Sequence, residues 1–546
     1  MTTVADLLEA RAEDDHTGLR FEDRSWTWRQ VVDESRRRAT FLSAVRGEGP
    51  FHIGVLLENV PEYLFLLGGA ALAGAVVVGI NPTRRGEELA RDVRHTDCQM
   101  VLTDRTQAPL LEGLDLGAPV TLVDDDAYRH ALAGGGRPSP PPSEDSLYLL
   151  LFTSGSTGAP KAVKVSQGRL ADAASVMAGG SGFGPGSVLY CAMPLFHGNA
   201  LNTCVVPALV SGATLVLRRR FSASGFMADV RHYGVTYFNY VGRALAYVLA
   251  TEPAPDDADN TLLFGFGTDA SPQDISAFKR RFSCPIVEGY GSSEGAISMA
   301  RGPGTPRGSL GLPPPGTDVV VIDPDTGAEC PPALFDAEGR LRNAAQSIGE
   351  IVSRDGAGRF EGYYANTEAE AERTRRGWYW SGDLGYRDEA GYFYFAGRNA
   401  DWLRVDGENF AAAPVERILE RFGPVAAAVV YAVPDPRTGD QVMAALEIAG
   451  GAEFEPGAFA DFLATQPDLG TKWAPRFVRL VGSVPVTGPG KVDKRPLRRE
   501  RWETADPVWW RPLRSRAGDY IRFGYDDADE LRAQFAAHGR LDYLAT

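Results

Sequence analysis

Short β-branched runs alternate with longer helical stretches over most of this 546-residue chain. Residues 52–57, 100–102 and 214–217 are examples of such runs. Strands that alternate with helices usually pair in parallel, because each connection has to cross a face of the sheet. The pattern therefore predicts an α/β fold with mostly parallel sheets, and the length of the chain predicts more than one domain.

The alternation changes near residues 397–400, which indicates a domain boundary. Beyond it the chain carries a smaller set of predicted elements: a helix over 414–421, strands over 426–431 and 441–448, and a helix over 456–463. We therefore predict a large N-terminal domain at residues 1–398 and a small C-terminal α+β domain at residues 399–546.

Composition narrows the classes of function. The formal net charge is -15, and such an acidic chain is poorly suited to general nucleic-acid binding, because the phosphate backbone would be repelled. The five cysteines form no C-x-x-C pair, which argues against a zinc site or a disulfide framework and favours a reducing, cytoplasmic compartment. The N-terminus is acidic from the start, so no signal peptide is predicted.

Residues 63–80 are uncharged, and the run is long enough to raise a membrane span as an alternative. Glycines interrupt it, however, and it ends in Val76-Val77-Val78 before Asn81-Pro82. These signals favour a buried helix over 61–73 followed by a buried strand over 75–80.

A loop rich in glycine and hydroxyl residues directly follows a predicted buried strand at 146–152. Glycines let backbone N–H groups turn toward a polyanion, and hydroxyls and a lysine add donors and charge. The loop is not a Walker A motif, because Ala162 stands where that motif has its magnesium-binding hydroxyl. The predicted phosphate-binding residues are Thr153, Ser154, Gly155, Ser156, Thr157, Gly158 and Lys161.

Four further motifs follow the loop along the chain. They are Tyr290-Gly291-Ser292-Ser293-Glu294, Trp380-Ser381-Gly382-Asp383, Gly397-Arg398 and Gly490-Lys491-Val492-Asp493-Lys494-Arg495. With these motifs, in this order, nearly the whole chain resembles the acyl-adenylate-forming superfamily of acyl-CoA synthetases, peptide-synthetase adenylation domains and luciferases. The resemblance implies an enzyme that uses ATP and Mg²⁺ to activate a carboxylic acid as its acyl-adenylate and then transfers the acyl group to coenzyme A.

The resemblance also implies roles for individual residues. Glu294 would bind Mg²⁺, which takes oxygen ligands and bridges phosphates. Ser293 would donate to the α-phosphate, and Tyr290 would stack beside the adenine. Asp383 would accept from the ribose hydroxyls, although an aspartate after glycine is also a common turn residue. The predicted ATP- and AMP-binding residues of these motifs are Tyr290, Gly291, Ser292, Ser293, Asp383 and Arg398.

The family's catalytic lysine belongs to a mobile small domain and bridges the substrate carboxylate and the α-phosphate. Lys491 matches it, with Lys494 as the alternative, because the local pattern carries one extra residue. Rotation of the small domain would then bring Gly407 and Glu408 to line a tunnel for the CoA thiol. The family's hinge position is commonly Asp or Lys, whereas this chain has Ala400.

Candidates for the acyl pocket come from two stretches. His197 matches a family position that gates the pocket, and its alternative is an ordinary structural histidine. Phe238 and Tyr240 are plausible as pocket lining and equally plausible as core. Residues 236–242 resemble the fatty-acid transport protein and very-long-chain acyl-CoA synthetase branch, except that Arg243 stands where that branch has Glu. This branch implies a long-chain fatty acid or a steroid side-chain acid.

Two other functions stay open at this point. The chain could load an acyl group onto a carrier protein's phosphopantetheine arm, or it could be a non-catalytic protein that binds nucleotide or acyl groups. The presence of Glu294, Asp383 and Lys491 together favours an enzyme. The expected partners are a small-molecule carboxylic acid, ATP and CoA, with no nucleic acid and at most peripheral membrane contact, and a homodimer stays open.

Overall fold

The structure of the chain is a computed structural model. It describes residues 2–134, 141–153, 161–241, 244–268, 270, 272–302, 304–324, 326–337, 339–398, 402–405, 408–437, 439–466, 468–470, 472–487, 492–512 and 520–544.

The described residues form two compact units that interleave along the chain. Unit 1 contains residues 2–298 and 358–374, and unit 2 contains residues 299–357, 375–487 and 492–544. The chain therefore leaves unit 1, returns to it for a short stretch and leaves again. The division into a large domain at residues 1–398 and a small domain at residues 399–546 stays a prediction.

The helices and strands follow each other in the alternation that the sequence predicts. The α-helices are α1 (Val4–Glu9), α2 (Trp28–Val45), α3 (Pro61–Ala73), α4 (Gly86–His95), α5 (Asp126–Leu132), α6 (Gln167–Ser181), α7 (Gly198–Ala200), α8 (Val206–Ser211), α9 (Ala223–Tyr233), α10 (Ala244–Leu249), α11 (Pro272–Phe282), α12 (Ala344–Ser347), α13 (Thr367–Arg373), α14 (Ala412–Leu419), α15 (Pro456–Ala464), α16 (Lys494–Glu500) and α17 (Tyr525–Ala537). A π-helical turn spans Leu201–Val205, and 3₁₀ turns span Ala108–Leu111, Gly356–Gly358 and Leu541–Leu544. The strands are β1 (Thr17–Phe21), β2 (Arg24–Thr27), β3 (His52–Leu56), β4 (Val76–Gly79), β5 (Cys98–Thr103), β6 (Val120–Leu122), β7 (Leu147–Phe152), β8 (Ala162–Ser166), β9 (Val188–Cys191), β10 (Thr214–Leu217), β11 (Tyr237–Val241), β12 (Phe264–Thr268), β13 (Ile286–Gly291), β14 (Ser298–Ala300), β15 (Val319–Ile322), β16 (Gly349–Ser353), β17 (Thr374–Arg375), β18 (Trp378–Arg387), β19 (Phe393–Arg398), β20 (Trp402–Val405), β21 (Glu408–Ala411), β22 (Val425–Pro434), β23 (Asp440–Ile448), β24 (Phe477–Val481), β25 (Val508–Trp510) and β26 (Ile521–Arg522).

Unit 1 contains two mostly parallel sheets. One has the strand order β13-β12-β11-β9-β10-β1-β2 and the other β6-β5-β3-β4-β7-β8. Within each sheet the neighbours pair in parallel, except β1 with β2 and β7 with β8 at the edges. Every residue of β3, β4 and β10 is buried, as expected when helices cover both faces of a parallel sheet. The predicted α/β fold with mostly parallel sheets is confirmed.

The uncharged run at residues 63–80 forms the predicted buried helix and strand. Helix α3 ends at Ala73 and is capped by Gly74, whose φ of 66° is favourable for glycine, and β4 begins two residues after Gly74. Ten of the thirteen residues of α3 are buried against the rest of unit 1. Among the described residues, no helix combines the length and the apolar character that crossing a membrane requires.

Unit 2 contains an antiparallel sheet, a hairpin and a mixed sheet. The antiparallel sheet runs β15-β16-β18-β19, the hairpin pairs β20 with β21, and the mixed sheet runs β22-β23-β24-β25-β26. Helices α14 and α15 pack on the mixed sheet through buried residues that include Val415, Leu419, Phe459 and Leu446. The four elements predicted between residues 414 and 463 correspond to α14, β22, β23 and α15.

Candidate functional site

The carboxyl ends of β9, β11, β12 and β13 lie at one edge of a unit 1 sheet, because these strands run parallel. This is the edge at which open α/β sheets bind ligands. His197 follows β9, and the predicted motif at Tyr290–Glu294 spans the end of β13. The two segments approach closely, since a Cβ built on Gly198 would lie 3.6 Å from Ser293 Oγ.

The Tyr290–Glu294 motif turns sharply just after β13. Gly291 and Ser292 are exposed, Tyr290 and Ser293 are half-buried, and only Glu294 is buried. Gly295 has a φ of 70°, and the Arg169 guanidinium lies where a side chain at Gly295 would start. Arg169 also donates to the Ser293 carbonyl, and this hydrogen bond holds the backbone of the turn in place.

Glu294 is held by Tyr363, a residue that the sequence did not point to. The Tyr363 hydroxyl donates to Glu294 Oε1 at 2.8 Å, and Arg373 Nε donates to the Tyr363 oxygen at 3.3 Å. Burial, and then the charge of Glu294, raise the pKa of Tyr363, so the phenol keeps the proton that it donates. The local signal is a Gly-Tyr-Tyr stretch at 362–364, which is too common to indicate a site.

Tyr363 reaches Glu294 because residues 362–364 pair with β8. Val163 and Tyr363 form an antiparallel bridge, and the Lys164 N–H donates to the Gly362 carbonyl at 3.0 Å. Strand β8 begins immediately after the predicted phosphate loop. The pairing therefore brings the buried carboxylate and the end of this loop into one part of unit 1.

The two described ends of the phosphate loop meet. The Thr153 N–H donates to the Lys161 carbonyl at 3.1 Å. The Lys161 ammonium lies 3.2 Å from Glu372 Oε2 and 6.0 Å from the centroid of the Tyr363 ring. Five predicted residues lie outside the described ranges and stay predictions: Ser154, Gly155, Ser156, Thr157 and Gly158.

The side chains around Glu294 fit a magnesium ion that is held jointly with a nucleotide. Within the described ranges, no group of three or more His, Cys, Asp and Glu side chains could form a complete metal cage. Mg²⁺ is usually bound through one or two carboxylates together with phosphates and water, so one well-placed carboxylate suffices. Glu294 is 6% exposed and accepts one hydrogen bond from Tyr363, which leaves acceptor capacity on a carboxylate.

In unit 2, the Trp380–Asp383 motif forms an irregular turn within β18. Gly382 has a φ of 73°, and its N–H donates to Glu350 Oε1 at 2.7 Å. The Asp383 N–H donates to Ser381 Oγ at 3.0 Å. Asp383 is half-buried and stands opposite Arg398 in the register of β18 and β19. The structure thus places these two predicted nucleotide-binding positions beside each other.

Glu350 is a second residue that sequence reasoning missed. It is 1% exposed, and its Oε2 lies 3.2 Å from Arg375 Nη2. The Arg375 guanidinium lies 4.0 Å above the Trp380 ring. A buried acid in a strand is unusual enough to attract attention, but the sequence does not show that its partner is Gly382, 32 residues away.

The structure describes the surroundings of one of the two candidate lysines. Lys494 Nζ lies 2.8 Å from Glu416 Oε1 and donates to the Val430 carbonyl at 3.0 Å, all within unit 2. Lys494 thus has partners within unit 2, and the choice of Lys491 over Lys494 as the catalytic residue stays a prediction, because Lys491 lies outside the described residues, as do Gly407 and Ala400. The backbone of Arg398 ends β19 and that of Glu408 begins β21, and the roles predicted for these residues stay predictions.

Phe238 and Tyr240 lie on one face of β11, whereas His197 lies between β9 and α7. The Phe238 ring packs 5.0 Å from Phe226 and 5.6 Å from Phe278 in a hydrophobic cluster of unit 1. The Tyr240 hydroxyl, on the same face, donates to Glu288 at 3.3 Å. His197 is half-buried with its ring 4.4 Å from that of Phe196. Phe238 thus contributes to the core, and pocket roles for these residues stay predictions.

Comparisons with known proteins identify the family and the fold of the chain. A family model described as AMP-binding enzyme matches residues 8–364. The chain is 53% identical over 552 aligned residues to a steroid-22-oyl-CoA synthetase of Rhodococcus jostii (strain RHA1), covering 100% of this chain and 99% of the relative. It is 44% identical over 521 residues to the medium/long-chain-fatty-acid–CoA ligase FadD17 of Mycobacterium tuberculosis, covering 94% and 99%. The ATP-bound structure of MatB from Rhodopseudomonas palustris has a TM-score of 0.80 at 22% identity, covering 91% and 98%.

The fold and the site define a nucleotide-handling α/β protein. The family match and the two relatives show that the chain belongs to the AMP-binding, acyl-adenylate-forming enzymes. It is an AMP-forming acyl-CoA synthetase that uses ATP, Mg²⁺ and CoA, which confirms the activity and the cofactors predicted from the motifs.

Proposed function

We propose that this enzyme joins a long-chain fatty acid or a steroid side-chain carboxylic acid to CoA by way of an acyl-adenylate. The observation that carries the nucleotide half of this proposal is the buried Glu294, held by Tyr363 next to the end of the phosphate loop. The acid is supported by the relatives, one named for steroid-22-oyl groups and one for medium- and long-chain fatty acids.

The first half-reaction brings two anions together. A carboxylate oxygen attacks the α-phosphate of ATP, the bond to the β-phosphate breaks and pyrophosphate leaves. The protein has to reduce the repulsion and hold the two groups in line. Glu294 would hold Mg²⁺, which supplies positive charge to the phosphates. Ser293 would donate to the α-phosphate from the turn after β13, and Lys161 would add positive charge at the loop.

Lys491 is the residue proposed to stabilise the charge that develops between the carboxylate and the α-phosphate. In the second half-reaction the CoA thiol loses its proton and attacks the acyl carbonyl, and AMP leaves. Asp383 would hold the ribose, and Arg398 would contact the ribose or a phosphate. Gly407 and Glu408 would line the path of the thiol. A rotation of residues 399–546 between the two steps would let one site perform both.

The proposal also covers the compartment, the membrane contact and the oligomeric state of the enzyme. It would act in the cytoplasm, where CoA and ATP are available, with at most peripheral membrane contact while it collects an apolar acid. A homodimer is the simplest oligomer to test, since closed two-fold assemblies are the commonest among soluble oligomers.

The test measures pyrophosphate release and thioester formation with fatty, aromatic and steroid acids, with and without CoA, for the wild-type protein and Lys491→Ala. We expect thioester with free CoA from fatty or steroid acids, and loss of adenylation in the variant. Pyrophosphate release without a CoA product would identify a carrier protein as the acceptor. No turnover with any acid would contradict the proposal, and a melting temperature raised by ATP would then indicate a nucleotide-binding protein.

A further inference from the structure

Tyr237 and Asn239 share the face of β11 that lies against the segment following His197. The Tyr237 hydroxyl donates to the Thr203 carbonyl at 2.7 Å. Asn239 Nδ2 donates to Asn199 Oδ1 at 2.8 Å. Both contacts join the first half of β11, a central strand of its sheet, to the helical segment at residues 198–205, which begins beside the Tyr290–Glu294 motif.

Asn239 retains an unused acceptor in this position. The residue is 3% exposed, and its side-chain oxygen is buried without a hydrogen-bond partner in the part of the chain that the structure describes. A buried acceptor that lacks a donor is costly, because it has lost its hydrogen bonds to water. A ligand that brings a donor to this oxygen therefore gains more than it would at an exposed amide.

Two neighbouring polar side chains already have partners within the segment: Asn202 Nδ2 donates to the Gly198 carbonyl, and Thr203 Oγ1 donates to the Asn199 carbonyl. Leu201, Cys204 and Val205, which follow Asn199, are buried. The Tyr237 hydroxyl is already satisfied by the Thr203 carbonyl. The Asn199 side chain is half-buried, so part of the pair of Asn199 and Asn239 remains exposed. The pair thus offers a buried acceptor that is still unused, and a few such polar groups fix the orientation of ligands in many pockets.

The pair lies close to Ser293, the residue proposed to bind the α-phosphate. Gly198 comes within 3.6 Å of Ser293 Oγ, measured from a Cβ built on the glycine, and Asn199 is the next residue. Consecutive Cα atoms are about 3.8 Å apart. If Ser293 binds the α-phosphate, as in the proposed function, an acid bound there carries its first few carbon atoms past Asn199 and Asn239.

We propose that Asn199 and Asn239 select acids that carry a hydroxyl group a few carbon atoms from the carboxylate. The hydroxyl donates to Asn239 Oδ1, while the hydrogen bond between the two amides holds that oxygen in place. An unsubstituted acid leaves the oxygen unpaired and binds less well. This inference rests on the proposed function and adds a substrate class to it.

The test compares kcat/KM for matched acids that differ by one hydroxyl: palmitate against 3-hydroxypalmitate, and a steroid 22-oic acid with and without a 17-hydroxyl. We expect the wild-type protein to prefer one of the hydroxylated acids by about tenfold, the size of one hydrogen bond. Asn239→Leu and Asn199→Leu should bring this ratio to about one. Tyr237→Phe removes a hydroxyl from the same strand face and should leave the ratio unchanged.

A ratio of about one for both matched pairs in the wild-type protein would overturn the inference, and so would a preference that survives in both asparagine variants. Binding of the same acids to Lys491→Ala, measured by calorimetry, separates this inference from the proposed function. A hydroxyl preference in binding without turnover in the wild-type protein would support the pocket and contradict the ligase. Turnover without any preference would support the ligase function and contradict the hydroxyl-binding role of the two asparagines.

Discussion

Tyr363 holds the Glu294 carboxylate, which we propose as the ligand of the nucleotide's Mg²⁺. Its hydroxyl donates a hydrogen bond to one oxygen of Glu294, and Arg373 donates one to the same hydroxyl. A carboxylate that is fixed at one oxygen presents the other in a defined direction, which is the usual role of the hydrogen bonds behind a metal ligand.

Tyr363→Phe should therefore lower kcat/KM for ATP by about tenfold to a hundredfold, the range of a hydrogen bond to a charged group. Pyrophosphate release as a function of Mg-ATP concentration measures the effect. Tyr364→Phe is the matched control, because that hydroxyl donates to Asp97 at the surface. Equal activity of the two variants would contradict the role given to Tyr363.

A second residue-scale prediction concerns pH. Asp92 in α4 has a fully buried side chain, and its Oδ2 lies 3.1 Å from Arg84 Nε. Burial raises the pKa of Asp92 to about 6, against a usual value of 3.8, and the nearby Arg84 only partly offsets the effect. The native state thus binds a proton more tightly than the unfolded chain, and the stability that this contributes is lost as the pH rises through about 6.

Asp92→Asn removes a buried charge that is unfavourable above pH 6. The variant should be more stable than the wild-type protein at pH 8, by on the order of 1–3 kcal/mol, and the difference should vanish below pH 4. Melting temperatures across this pH range test the prediction. Asp33→Asn, at an exposed ion pair with Arg36, should show no such gain. A variant that is less stable at pH 8 would mean that the pairing with Arg84 outweighs burial.

Among the elements, the turn in β18 depends on a carboxylate from the neighbouring strand β16. Glu350 holds the Gly382 N–H just before Asp383, and Arg375 neutralises its buried charge. Removing an acceptor from a buried N–H leaves that group without a partner.

Glu350→Leu should lower the melting temperature and raise KM for ATP by about tenfold, since Asp383 would lose its fixed position. Glu350→Gln keeps an acceptor for Gly382 and loses only the ion pair, so its KM should stay closer to that of the wild-type protein. Steady-state kinetics in ATP for both variants provide the measurement. If Glu350→Leu melts lower with an unchanged KM, the residue supports the sheet alone.

The sequence predicted those elements and motifs whose signals are local. The helix over 61–73, the strand after it and the mostly parallel sheets follow from periodicity within short windows. Helix α14 begins at Ala412, two residues before the predicted start, because a run of alanines carries no capping signal. Tyr363 and Glu350 could not be predicted, since their partners lie 69 and 32 residues away and meet only through sheet pairing.

At the scale of the whole molecule, the proposed rotation assigns different residues to adenylation and to thioester formation, so a variant can lose one step and keep the other. Lys491→Ala should slow pyrophosphate release by at least about a hundredfold, because the lysine would act on charge that develops only in the adenylation step. Thioester formation from added acyl-adenylate and CoA should stay within a few-fold of the wild-type rate. Equal losses in both half-reactions would show that Lys491 serves the two steps alike.

Lys494→Ala should mainly lower the melting temperature, since Lys494 binds Glu416 and Val430.

The interleaving of the two compact units constrains how such a sequence can be recombined. Residues 358–374 are encoded between two parts of unit 2, yet Tyr363 pairs with Val163 and binds Glu294 in unit 1. A hybrid gene whose parents meet between residues 299 and 357 would therefore combine β8 from one parent with its pairing segment from the other. Hybrids should function more often when residues 161–298 and 358–374 descend from the same parent, and natural exchange between relatives meets the same restriction.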